Sequence, residues 1–375
     1  MTTRWLGTIA VTGLLAVSCG STHGFATSSA THTATASSAR VDGSCPAVQP
    51  TPQFTASISS NLNLALVSLR GGTGLVVRDI TDINHPSNLG TVSAASQPKF
   101  VNASEVSYVD ESGNLVRSAF GGSSRTTVAA CASLFDWSRE GTSAVYLIQT
   151  DSGMQDLHQI SAGQDRVLGS MPASGVGGCE TIEGCAIAND IDFRLSYSTD
   201  GATISYVSSG FGKAAFRVFS SDGKLLKSGD SLGATMSAWS GNSLYFRDAA
   251  GVHVWRDGTI SSFLPGLSWI RPKASPAGGT IVYVARDTSG WAHTYVVDTS
   301  TRIVRELKTA RTEPVFLTSR YVWYLGERAC VPADGCGPNP PFHPLSGKSY
   351  IYDLQNGTET ESIITSVADV WPHAG

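Results

Sequence analysis

The residues best suited to covalent chemistry are seven cysteines. Two pairs share one spacing, Cys179-Glu-Thr-Ile-Glu-Gly-Cys185 and Cys330-Val-Pro-Ala-Asp-Gly-Cys336. Each closes a short loop holding a Glu-Gly or Asp-Gly turn, which suits a local disulfide. Zinc sites more often use gaps of about two to four residues and a reducing compartment. Seven is odd, so an exported chain must use one cysteine differently.

Other chemistry is sparse. There is no G-x-S-x-G nucleophile elbow, and no room for an α/β-hydrolase domain. Ser198-Thr-Asp200-Gly201 lacks the residue between Asp and Gly that a sialidase box carries, and reads as a turn. His85, His158, His253, His293 and His343 are scattered singly, with no H-x-x-x-H pair. The paired glycines suit turns, not a phosphate loop. Asn189-Asp190-Ile-Asp192 lacks the glycine and terminal Glu of a calcium loop. No metal and no cofactor are expected. Paired carboxylates for glycan hydrolysis remain open, because a ring of repeats gathers its acids from separate units.

The N-terminus reads as an address. Arg4 precedes the apolar run Leu6 to Val17, which is too short to span a bilayer as a stable helix. Leu15-Ala16-Val17-Ser18-Cys19 resembles a bacterial lipobox, with Ala16 where that family prefers Leu. The resemblance implies cleavage before Cys19 and a thioether-linked lipid on it. After Cys19 the chain is almost all Ser, Thr, Ala and Gly, with no apolar face to offset its chain entropy, and reads as a tether. His23 and His32 within it are incidental. With Cys19 set aside, Cys45 and Cys131 remain to pair, fastening the end of the tether to an early repeat.

Composition agrees. The chain has 375 residues, 15% of them charged and 41% hydrophobic, with a net charge of −4. That is enough apolar material for a core, and it offers no basic patch for nucleic acid.

The elements that must position any site repeat along the chain. An aromatic or apolar anchor is followed by a tight turn and a short β-branched strand. Examples are Phe135-Asp-Trp137-Ser-Arg-Glu-Gly141 before Ala144 to Ile148, and Trp239-Ser-Gly-Asn242 before Leu244 to Phe246. The anchors fall at 54, 100, 137, 197, 239, 274 and 316, with a period near 40. That spacing is the signature of propeller blades. Asp222-Gly223, Asp257-Gly258 and Asn356-Gly357 mark hairpins. Trp371-Pro-His-Ala-Gly375 has the spacing of an eighth anchor and, at the end of the chain, is expected to close the ring, competing with Phe54 for one slot.

The W-S-x-[DE]-G unit followed by an apolar strand resembles the PD40, or TolB-type, WD40-like repeat. Phe100 and Phe316 lack its S-P-D-G turn. The resemblance implies an all-β fold: one β-propeller of four-stranded blades, seven in number, with six or eight as alternatives. The segments are then a signal at 1–18, a tether at 19–50 and the propeller at 51–375.

The two longest repeats carry insertions, Pro172 to Asp192 and Gly326 to Lys348, each holding one cysteine pair. Inner-to-outer strand order places both on one face of the disc. That face is the candidate binding surface, with Glu180, Glu183, Asp190, Asp192, Glu327, Arg328, Asp334, Phe342 and His343. The plain alternative is a pair of solvated loops. The expected protein is an exported monomer, lipid-anchored on the outer side of a bacterial membrane, binding or scaffolding a protein, peptide or glycan of the envelope. The rival is a glycan hydrolase using axial carboxylates.

Overall fold

The computed structural model describes residues 45, 47–54, 61–68, 74–93, 96–150, 154–172, 192–209, 215–331, 334 and 343–372. These residues form seven four-stranded antiparallel sheets, one per blade. Blade 1 holds Leu64–Ser68, Gly74–Asp79 and Ser87–Ser93. Blades 2 to 7 begin with the inner strands Ser96–Asn102, Ala132–Trp137, Asp192–Tyr197, Thr235–Ser240, Ile270–Ala274 and Arg311–Phe316. In each of these six the chain runs from inner to outer strand. The inner strand of blade 1 is Asp369–Trp371, from the far end of the chain.

The ring thus closes non-covalently. Seven apolar clusters fill seven seams, one between each neighbouring pair of blades. Strand alternation explains this: successive side chains point to opposite faces of a sheet, so every blade feeds two seams. Phe100, Trp137, Tyr197, Trp239, Ala274 and Phe316 are all buried on inner strands, as the repeat predicts. Ala274 is small, and its seam is filled by the fully buried Trp269, which packs against Tyr283.

Two details differ from the repeat count. The closing strand pairs Leu64 with Trp371 and Ala65 with Val370. Ala65 and Val370 line the seam to blade 7, whereas Leu64 and Trp371 line the seam to blade 2. The anchor position is therefore Val370, one residue before the expected Trp371; a shift of one in a strand moves a side chain to the opposite face.

Phe54 is not an inner-strand anchor. Its ring packs edge-on against Trp137 at 4.9 Å, with the Arg117 guanidinium 5.0 Å over it, at the seam of blades 2 and 3. Arg117 also donates to the Gly141 carbonyl and pairs with Glu105. Upstream, Cys45 and Cys131 form a disulfide with their Cα atoms 5.9 Å apart. Residues 47–54 make a strap across that seam.

Among the described residues no helix is long and apolar enough to cross a membrane. The signal and the tether as far as residue 44, Cys19 included, lie outside them, as do Cys179, Cys185, Cys336, Glu180, Glu183, Asp190 and Phe342.

Candidate functional site

Antiparallel order assigns every connection to a face. Links from second to third strands, and from an outer strand to the next inner strand, emerge on one face, here called upper. Links from first to second and from third to fourth strands emerge on the lower face. The first insertion joins the outer strand Gln164–Pro172 to Asp192–Tyr197. The second joins Tyr321–Glu327 to Leu345–Asp353. Both therefore root on the upper face. Their described roots are on opposite sides of the ring, at the seam of blades 3 and 4 and on blade 7. Asp192 is the first residue of its strand.

The second insertion is built against blade 6. Glu327 is buried, and its carboxylate accepts from Arg286 at 2.8 Å and from the backbone N–H of Ala292 at 3.0 Å. It serves as a strut between blades and is not a free recognition acid. Arg328 and Asp334 form a two-pronged ion pair, both prongs at 2.7 Å, and Asp334 also accepts from the Val331 N–H. The Arg328 hydrogen bonds, then that N–H, hold the Asp334 carboxyl down to about 2. Cys330, between them, is disulfide-bonded.

His343 lies flat on Trp291, with ring centroids 3.6 Å apart and planes 11° from parallel. Its Nε2 donates to the Ser289 carbonyl at 3.0 Å, and its Nδ1 has no partner among the described residues. Trp291 stands on a hairpin fixed by Asp287, whose Oδ1 accepts the N–H groups of Ser289 and Trp291. His293 follows, held between Asp287 at 3.2 Å and Glu306 at 2.9 Å. The sequence reading missed Trp291 and Asp287. Their signal was the Asp287-Thr-Ser-Gly290-Trp291 turn between two strand runs. The described wall between blades 6 and 7 is thus a surface of stacked rings and paired acids.

The inner strands carry acids as well. Asp136 accepts from Lys99 at 2.7 Å and from the Tyr197 N–H at 2.9 Å. Asp369 accepts from the Phe100 N–H at 2.7 Å, and Glu313 pairs with Arg271. These acids bind neighbouring blades. Among the described residues, no group of three or more His, Cys, Asp or Glu side chains is placed to hold a metal ion.

No family model matches the chain, and no curated protein does. Solved structures do. A structure from a mechanistic study of two prolyl endopeptidases is 10% identical with a TM-score of 0.56, covering 85% of this chain and 50% of that one. TolB from Acinetobacter baumannii is 13% identical with a TM-score of 0.42, covering 82% and 81%. The β-propeller domain of the Trilobed protease from Pyrococcus furiosus is 10% identical with a TM-score of 0.45, covering 83% and 84%. At these identities the likeness is one of fold, and that fold is the β-propeller.

Proposed function

We propose that this chain is an exported, lipid-anchored β-propeller that binds a protein, peptide or glycan of the cell envelope through its upper face. The observation that carries the reading is the blade 7 insertion, which is pinned to blade 6 by Glu327, clipped by Arg328–Asp334 and stacked through His343 on Trp291. Solvated loops need none of these fixings. A wall fixed in advance loses little ordering entropy on binding. The Cys45–Cys131 disulfide suits an oxidising compartment, and the lipobox-like string at Cys19 supplies the anchor.

The test is photo-crosslinking in intact cells. A photoreactive residue at Thr288, on the upper face, should give an adduct that Trp291→Ala abolishes. The same residue at Ala277, on the lower face, should give none. Equal adducts from both faces, or an adduct indifferent to Trp291→Ala, would sink the reading. Fractionation of Cys19→Ser tests the anchor separately: retention in membranes would refute it.

A further inference from the structure

The strap has its two ends on opposite faces. Cys131 lies in the link from Arg125–Ala129 to Ala132–Trp137, an outer-to-inner connection, so the Cys45–Cys131 bond is on the upper face. Phe54 packs on Trp137, the last residue of its inner strand, at the lower end. Gln53 confirms this, since it sits against Gly163 in the lower-face turn between Met154–Ser161 and Gln164–Pro172. A β-carbon on Gly163 would come within 2.7 Å of Gln53.

We infer that the Cys45–Cys131 disulfide decides which face of the propeller is turned toward the membrane, and that with the bond intact it is the upper, loop-bearing face. This rests on the lipid anchor at Cys19 proposed above. Residues 20–44 then join the lipid to an upper-face root. Twenty-five residues reach at most about 80–90 Å when fully extended. To present the lower face to the membrane, it would have to pass round the rim at an entropic cost. Breaking the bond moves the root. Among the described contacts, the next hold along the chain is that of Gln53 and Phe54 on the lower face, with residues 45–52 added to the tether. The partner of the upper face is accordingly one lying at the membrane surface, and reduction of one bond would withdraw that face from it.

The experiment is energy transfer from the full chain on lipid vesicles to an acceptor dye on the lipid headgroups. A fluorescent amino acid is placed at Thr288 or at Ala277, exposed positions on opposite faces of blade 6. Transfer from 288 should exceed transfer from 277 by roughly twofold, as tether lengths of this order allow. In the Cys45→Ser/Cys131→Ser variant the excess should vanish or reverse. In Phe54→Ala, which frees only the lower hold, it should persist. Melting curves establish that each variant is folded. Equal transfer from both faces in the parent, or an unchanged excess in the double variant, overturns the inference. If mass spectrometry finds Cys19 unmodified, the anchor reading has failed. The same thiol is then coupled to a maleimide lipid, and the orientation is measured on that chain.

Discussion

The Asp369 carboxylate accepts the backbone N–H of Phe100 at 2.7 Å, linking residues 269 positions apart in the sequence. It fastens the closing strand of blade 1 to the inner strand of blade 2. An inner strand has one edge with no neighbouring strand, and an unpaired buried N–H there costs free energy. Asp136 treats the Tyr197 N–H in the same way two blades on. Both acids immediately precede a residue that faces the previous blade, Val370 and Trp137.

Asp369→Ala leaves the Phe100 N–H without this acceptor and should destabilise the protein by about 1–3 kcal/mol. Asp369→Asn keeps an acceptor oxygen and should cost less. Thermal unfolding of both measures this, and equal costs would show that the hydrogen bond is not what Asp369 supplies.

Trp371 is 7% exposed and fills the seam of blades 1 and 2. Trp371→Ala should cost about 3–5 kcal/mol. Phe54, only partly buried at the blade 2–3 seam, should cost less when truncated. Denaturant midpoints rank the two. The reverse order would place the ring closure at Phe54.

The Cys45–Cys131 bond spans 86 residues of sequence. Removing it should cost about 2–4 kcal/mol, because the unfolded chain regains loop entropy. Mapping of non-reduced peptides should show 45 joined to 131, and should pair Cys330 with Cys336 and Cys179 with Cys185. Free thiols at these positions would refute the pairing.

Burial alone would lower the His293 pKa, but its hydrogen bonds and charge pairing with Glu306 and Asp287 outweigh this and raise it above the usual 6.5. The folded state therefore holds this proton more tightly than the unfolded state. The stability it contributes is fully present below the unfolded pKa and is lost as pH rises through the folded one. The melting temperature should fall as pH rises above the ordinary histidine value of about 6.5, and His293→Gln should flatten that slope. An unchanged slope would assign the pH dependence to other groups.

Much of the architecture was legible because a propeller repeats. Alternating apolar strands and Gly-marked turns at a period near 40 require several short sheets that share seams, and no helical period competes. Trp137, Tyr197 and Trp239 could be read as anchors because an aromatic before a tight turn has one obvious place to be buried. The last turn of the ring was less legible. Trp371 was the louder residue, yet Val370 takes the anchor place, because pairing with Leu64–Ser68 fixes the register and one residue reverses a side chain.

The sequence by itself determined the repeat, the strand-rich blades and which connections are long. It also placed the long connections on one face, since antiparallel order leaves no choice. Only the tertiary structure decided what those connections do. Glu327 looked like a surface acid and is a buried strut, because its partners Arg286 and Ala292 belong to the neighbouring blade. Phe54 looked like a blade and is part of a strap, because Trp137 and Arg117 offer it a seam. Trp291 and His343 meet although 52 positions apart, because two blades set their loops side by side. Local pattern encodes each blade. Contacts between blades depend on ring order and register, which exist only once the circle is closed.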